Sequence, residues 1–403
     1  KESRLLEWAV VPEVHDAEAW VIDGQFEDDT DGVAKKSLDA ADLTGSINAK
    51  QFRIVHASAA SDVVVTAGAG TGKTETMSER IVFLLATNGS IGIQVGSKPP
   101  SDIRLDDMVL VTFTKVAAKE MRARIARTLA LRQRLCSRCV LPTLPWMMQL
   151  SSTDITTIHT YAQKLIQQGG GAIGLSPDFS VSDRKMDFRM LIKQNLSLQL
   201  SDLLEKEPDK TPASHLWLKH LEELWSSLGN NGVDLISFSP GGQRTQVDWG
   251  ITTGNSLNDQ ISTVTSSVLE RLAASFGEYC LENQVVPVGQ LVPTALEALK
   301  NSQRSGFKSP RFLFVDEFQD TDAQQMEMIL DIKQLLGSSL FVVGDVKQGI
   351  YRFRGAEGSA FKVLNARCKS RGLPPPIEFT LNRNFRSGAK LLTSLGHYFE
   401  AWG

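Results

Sequence analysis

The 403-residue sequence carries 43 Lys and Arg against 46 Asp and Glu, a formal charge of −3, and is 42% hydrophobic. That balance excludes a disordered polyelectrolyte and leaves room for two or three folded domains. No apolar run approaches the ~20 residues that span a bilayer, and the charged N-terminus lacks the apolar stretch of a secretory signal. No membrane contact is therefore expected, and the expected setting is the cytoplasm. The chain begins at Lys1 rather than Met, as a processed or partial chain would. Cys136, Cys139, Cys280 and Cys368 set up no disulfide framework. The Cys136–Cys139 spacing has no second pair, so it reads either as half of a metal site or as two thiols in a basic helical region.

In chain order, residues 1–45 are acidic, with Glu27, Asp28, Asp29 and Asp31 clustered, and form an expected N-terminal extension. Val63–Val65 is a β-branched run, followed by AGAGTGKT over Ala67–Thr74 and a helical pattern through Leu85. Strand, glycine loop and helix together are the context a phosphate-binding P-loop requires. The backbone of Ala67, Gly68, Ala69, Gly70, Thr71 and Gly72 can turn its N–H groups inward around phosphates. Lys73 is then placed to reach the β- and γ-phosphates, and the Thr74 hydroxyl to ligate magnesium. Ala67 stands where the general motif has glycine, so the match alone leaves open a plain glycine-rich turn.

Residues 89–102 read as a loop. Met108–Phe113 reads as a second core strand, followed by a helix over Thr114–Leu131. Lys115, Lys119, Arg122, Arg124, Arg127, Arg132, Arg134 and Arg138 are opposed there only by Glu120. Such a stripe fits either a nucleic-acid backbone contact or a solvated helix face. Ile155–Ile166 is another strand-to-helix passage. From 169 to 304 the pattern becomes mostly helical, as in Met186–Leu204 and Leu216–Leu228, with a loop over Gly229–Gly250. Trp146, Trp217, Trp225 and Trp249 read as packing residues. Core strands resume at Phe312–Val315 and Leu340–Val343. The fold class is α/β: a RecA-like P-loop NTPase parallel sheet interrupted by a mostly helical inserted subdomain.

The strand Phe312–Val315 ends in adjacent carboxylates, Asp316 and Glu317. One can hold magnesium while the next orients and deprotonates an attacking water. With this pair downstream, the glycine loop reads as part of an ATP-hydrolysing core that needs ATP and Mg2+. Gln348 follows a strand end and a turn, where its amide can meet the γ-phosphate. Tyr351 and Phe353 alternate with Arg352 and Arg354, and rings beside guanidinium groups suit base stacking with backbone attraction. An ordinary amphipathic strand is the other reading of that run.

These motifs, in this order, resemble the superfamily 1A helicases, the UvrD/Rep group, and in wording most nearly the RecB/AddA helicase–nuclease branch. INAKQ, ending at Gln51, is similar to the family's adenine-reading glutamine motif. TFTKVAAKEMRARI resembles a single-stranded-DNA motif, implying DNA contacts at Thr112, Phe113, Thr114 and Lys115. TIHTY resembles the next, implying contacts at His159 and Tyr161, although a lone histidine is more often structural. By the same resemblance Gln319 couples the nucleotide to the following motif, and Tyr351, Phe353 and Arg354 grip DNA. LNRNFRS resembles the motif in which Phe385 stacks on adenine and Arg386 reaches across a domain cleft to the γ-phosphate. Glu75 and Gly349 depart from the family's usual residues.

The resemblance implies a domain plan of 1–45 extension, 46–168 and 305–372 first RecA-like domain, 169–304 insertion, and 373–403 the start of a second RecA-like domain. The family's later motifs do not occur before Gly403, so further residues are expected beyond it. The implied function is an ATP-dependent helicase or translocase moving 3′ to 5′ on single-stranded DNA, in repair, recombination or defence against foreign DNA. Its partners would be DNA with a single-stranded end and a nuclease or helicase subunit. The alternative is a DNA- and nucleotide-sensing subunit that regulates a partner nuclease with little unwinding.

Overall fold

The computed structural model describes residues 49–87, 103–135, 143–182, 214–230, 256–302, 306–348 and 360–388, with isolated positions between 187 and 197 and between 390 and 394. The acidic extension, the whole 89–102 loop, Cys136, Cys139, most of Met186–Leu204, residues 231–250 with Trp249, and Gly349, Tyr351, Phe353 and Arg354 lie outside the described residues. No described helix is long and apolar enough to cross a membrane.

Helix α1 (Ala49–Val55) leads into β1 (Val63–Ala67) and α2 (Lys73–Thr87). Next come β2 (Met108–Thr112), α3 (Lys115–Leu135), α4 (Thr143–Ser152), β3 (Asp154–Thr157) and α5 (Ile158–Gly169). The middle of the chain gives β4 (Ser180–Val181), α6 (Ser214–Asn230), α7 (Ser256–Glu282), β5 (Val285–Val286) and α8 (Leu291–Asn301). The remainder is β6 (Phe312–Val315), α9 (Ala323–Leu336), β7 (Ser339–Gly344), α10 (Ala360–Ser370) and β8 (Ile377–Leu381).

Two compact units result. One comprises the chain up to Ile158 with 309–321 and 336–403; the other comprises 159–308 and 322–335. The first contains a six-stranded sheet in the order β3-β2-β6-β7-β1-β8, and every neighbouring pair is parallel. Its inner strands are mostly apolar because helices cover both faces. Val63, Val64 and Val65 of β1 and all of β6 are buried. The β-branched and aromatic side chains of these strands interlock across the sheet, as where Phe314 and Phe341 meet with ring centroids 5.4 Å apart. Ile81, Phe83, Leu84, Met121 and Ile125 of the helices complete this core, with Trp146 beside them. This is the RecA-like α/β architecture expected.

The segment expected to open a second domain at 373 contributes β8 to the first sheet instead. Val63 to Ala67 stand in register with Ile377 to Leu381. The alternating exposure of β8 marks an edge strand, open on one side.

The second unit has its own core, in which Leu165, Ile166, Leu272, Phe276, Cys280, Val285 and Ala295 are buried. Trp225 packs edge-on to Phe276 at 6.0 Å. A short parallel ladder pairs Ser180 with Val285, and the Tyr279 hydroxyl donates to Asp187 at 2.6 Å. Helices dominate this unit, in keeping with the inserted subdomain read from the sequence.

Asp62 sets the register of the sheet just before β1, at the end opposite the phosphate loop. Its carboxylate accepts the Leu340 N–H of β7 at 2.8 Å, and its carbonyl accepts the Ile377 N–H of β8 at 2.8 Å. One residue thus pins both neighbours of β1. Asp62→Ala leaves a buried N–H without a partner and should destabilise the first unit by about 1–3 kcal/mol in denaturant titration.

Candidate nucleotide site

In a parallel sheet the loops at the carboxyl ends of the strands form the natural ligand crevice. The loop Gly68–Gly72 leaves β1 there and runs into α2, whose first residues are Lys73 and Thr74. Gly70 and Gly72 take φ of +72° and +85°, a left-handed backbone that side chains with a Cβ rarely adopt. The Thr71 hydroxyl ties the loop by donating to the Gly68 carbonyl at 2.8 Å. Gln51, buried on α1, donates its amide to the Thr71 carbonyl at 3.3 Å. A Cβ on Gly72 would lie 2.5 Å from that amide nitrogen, so glycine is what admits Gln51 to the loop. The positive end of α2 faces the same space, as anion binding requires.

Strand β6 brings two carboxylates to this loop. Asp316 is 9% exposed, and its side chain accepts the Glu317 N–H at 3.0 Å. Burial, and then the neighbouring Glu317 charge, push its pKa up to about 6. Glu317 itself sits in the left-handed region, φ 50 and ψ 45. For a residue with a side chain, that conformation costs on the order of 1–2 kcal/mol and is characteristic of functional turns. Its carboxylate lies 3.3 Å from Lys73 Nζ. Gln319 donates to the same Glu317 oxygen at 2.8 Å, while its own carbonyl oxygen accepts the Asp345 N–H at the end of β7 at 2.8 Å. Lys73, Glu317, Gln319 and Asp345 therefore form a continuous polar chain linking the ends of β1, β6 and β7.

Asp320 adds a further acid. Burial and Glu317 push its pKa up to about 6, and its Oδ1 is buried without a hydrogen-bond partner among the described residues. Asp316, Glu317 and Asp320 thus face Lys73 as their nearest cation. An incoming polyphosphate would deepen this negative imbalance unless a divalent cation came with it. Thr74, whose hydroxyl makes no hydrogen bond among the described residues, and Asp316 are oxygen donors of the kind magnesium takes. The residues therefore fit the ion.

The other site residues read from the sequence divide into those the structure leaves available and those it does not. Gln348 is exposed in the turn after β7, where its N–H donates to the Asp345 carbonyl at 3.0 Å. Phe385 is 53% exposed, with the Arg383 guanidinium 5.2 Å from its ring. Arg386 does not reach over from another domain; it follows β8 of the same sheet, against Gly70. Thr114 and Lys115 are exposed and Phe113 half-buried. Thr112, however, is buried as the last residue of β2, and its hydroxyl donates to the Thr114 carbonyl, so it shapes the loop rather than meeting a ligand. Tyr161 is also buried, on the inward face of α5, whereas His159 is exposed and within electrostatic reach of Asp322. In the basic stripe Arg122 donates to the Leu150, Thr153 and Ile155 carbonyls, and Arg124 pairs with Glu120. Asp345 and Asn384 have no role in the sequence reading, because each is tied to another segment by a contact that only the fold reveals.

The raised pKa of Asp316 has a consequence for stability. Its folded value of about 6 lies above the unfolded reference of 3.8, so the folded protein holds the proton more tightly and stability falls as pH rises through that window. In nucleotide-free protein with chelator present, Asp316→Asn should raise stability at pH 7 by about 1–3 kcal/mol. The gain should shrink toward zero as pH is lowered to 4, as denaturant titration across pH would show.

The profile of the UvrD/REP helicase N-terminal domain family matches residues 47–369. DNA helicase II of Haemophilus influenzae is 28% identical over 358 residues, which cover 89% of this chain and 41% of that protein. A probable DNA helicase of Mycoplasma pneumoniae is 25% identical over 339 residues, covering 80% and 50% respectively. An ATP-dependent helicase/nuclease subunit of Limosilactobacillus fermentum is 33% identical over 154 residues, covering 38% of this chain and 11% of that one. The chain spans half or less of the length of these relatives.

Proposed function

Because the chain belongs to the UvrD/REP helicase N-terminal domain family, we propose that it is the nucleotide-binding part of an ATP-dependent DNA helicase. The observation that carries this reading is the polar chain from Lys73 through Glu317 and Gln319 to Asp345. Phosphates held by the backbone N–H groups of the Gly68–Thr74 segment draw Lys73 away from Glu317. The freed carboxylate is then the base that orients and deprotonates the attacking water. Thr74 and Asp316 would hold magnesium, which would supply positive charge against the negative charge of the phosphates. Gln51 fixes the loop on the adenine side, Phe385 offers a face for the base, and Gln348 and Arg386 meet the γ-phosphate.

Gln319 gives hydrolysis a mechanical outlet. Any shift of the Glu317 carboxylate changes its hydrogen bond from the Gln319 amide, whose oxygen in turn accepts the Asp345 N–H. Beyond Asp345 the chain runs into Gln348 and then the segment with Tyr351, Phe353 and Arg354, whose rings and guanidinium suit single-stranded DNA. Lys115, Thr114 and His159 are the other proposed DNA contacts. Movement 3′ to 5′, a role in repair, recombination or defence, and a cytoplasmic setting complete this reading. A second reading, a nucleotide- and DNA-sensing subunit that regulates a nuclease partner, is favoured by the similarity to a helicase/nuclease subunit.

ATP turnover with and without single-stranded DNA tests the proposal. DNA should stimulate turnover, and Glu317→Gln should lower it by about 10²-fold or more, the usual contribution of a general base. Normal turnover in that variant would refute the assignment of Glu317. Gln319→Ala should reduce the DNA-stimulated rate more than the unstimulated rate, because it cuts the link to Asp345. Strand displacement separates the two readings, since a sensor hydrolyses ATP without parting the duplex.

A further inference from the structure

Asn384 stands between the phosphate loop and Arg386, and both ends of its amide are engaged. Nδ2 donates to the Ala69 carbonyl at 2.8 Å. Oδ1 accepts the Arg386 and Ser387 N–H groups at 2.8 and 2.9 Å. Beside it the Phe385 N–H donates to the Gly70 carbonyl at 2.7 Å, and the Gly68 N–H reaches the Leu381 carbonyl at 3.4 Å. The two segments approach so closely that a Cβ on Gly70 would lie 2.7 Å from Arg386 Cβ and 2.9 Å from Asn384 Oδ1.

An asparagine oxygen that accepts N–H groups two and three residues onward makes an Asx turn, which fixes the backbone between them. Here the turn carries Phe385 and Arg386. Holding the turn and the loop together takes a short side chain with a donor and an acceptor on separate atoms, as a primary amide has. Aspartate keeps the acceptor but not the donor to Ala69, and alanine keeps neither.

We infer that Asn384 is a positioning residue that ties the Arg386 turn to the phosphate loop, so that the guanidinium emerges at a fixed point beside the last phosphate. The inference rests on the reading of the loop as a nucleotide site. Arg386 is exposed, with a long and flexible side chain. Without a fixed root it would have to be ordered anew each time a phosphate arrived, at a cost in side-chain entropy. The same tie couples the shape of the loop to the turn, so the arginine follows the loop when the loop moves.

Fluorescent ATP and ADP analogues titrated into the chain test this through γ-phosphate discrimination. Arg386→Ala should lower the preference for ATP over ADP by roughly tenfold, the scale of a lost charge-assisted hydrogen bond. Asn384→Ala should lower that preference to a similar degree, costing ATP clearly more affinity than ADP. The double variant should be no worse than Arg386→Ala alone, because the two residues act as one unit. Asn384→Asp should lose discrimination too, since it cannot donate to Ala69. Additive losses, an Asn384→Ala variant that keeps the ATP preference, or an equal fall in ATP and ADP binding would overturn the inference. Lys73→Ala serves as the control on the nucleotide reading, and normal nucleotide binding in it would sink that reading instead. Amide hydrogen exchange in the nucleotide-free chain gives an independent arm. Asn384→Ala should speed exchange at Arg386 and Ser387 and across Gly68–Gly72, and unchanged protection there would refute the tie directly.

Discussion

The ion pair between Lys73 and Glu317, 3.3 Å apart, joins the first residue of α2 to the turn after β6, which β7 separates from β1. Both partners are committed to other parts of the site. Lys73 is fixed by the glycine loop behind it, and Glu317 by a left-handed backbone and the Gln319 amide. The pair is only partly buried, so its own contribution to stability is small. Under the proposed function its importance lies in exchange: a phosphate would take over Lys73, and the carboxylate so released would already be placed beside it. Binding and activation of the proposed base would then be one event.

The sheet makes this pairing available. Parallel strands in the order β6-β7-β1-β8 bring four carboxyl-terminal loops to one edge. Asp62 fixes the register of β7 and β8 on either side of β1 at the opposite edge. From that frame the carboxylates arrive on β6, the coupling backbone on β7, the phosphate loop on β1 and the arginine turn on β8. Burial raises the pKa of Asp316, and the buried oxygen of Asp320 adds to the local excess of negative charge. The site is strained electrostatically as well as in its backbone, which is where binding energy from a cation and phosphates can be used.

Much of this was legible in the sequence, for a physical reason. Strands buried on both faces must be apolar throughout, so VVV, MVLVTF, FLFV and LFVV announced themselves, and the loop chemistry followed from what came after each. Strand β8 did not. IEFTL lies at an edge and alternates apolar with polar residues, a period-2 signal that is shorter and weaker than the continuous apolar runs of the inner strands. That is why 373 looked like a domain boundary and Arg386 like a visitor from elsewhere. Tyr161 could have been placed from periodicity, since Ile158, Tyr161, Ala162 and Leu165 share one buried helical face. The resemblance of TIHTY to a DNA motif outweighed that pattern. Arg122 shows a different limit. A count of basic residues cannot tell a free guanidinium from one whose donors are spent on backbone carbonyls.

If phosphate and Glu317 compete for Lys73, the strength of that competition is open to direct measurement. Calorimetric titration of a non-hydrolysable ATP analogue with magnesium, into wild-type protein and Glu317→Gln, reads it without any turnover. The account predicts tighter binding by the variant, because a neutral amide gives up the lysine more readily than a carboxylate does. Weaker binding by Glu317→Gln would contradict it, and would mean that Glu317 helps to hold the nucleotide rather than being released by it.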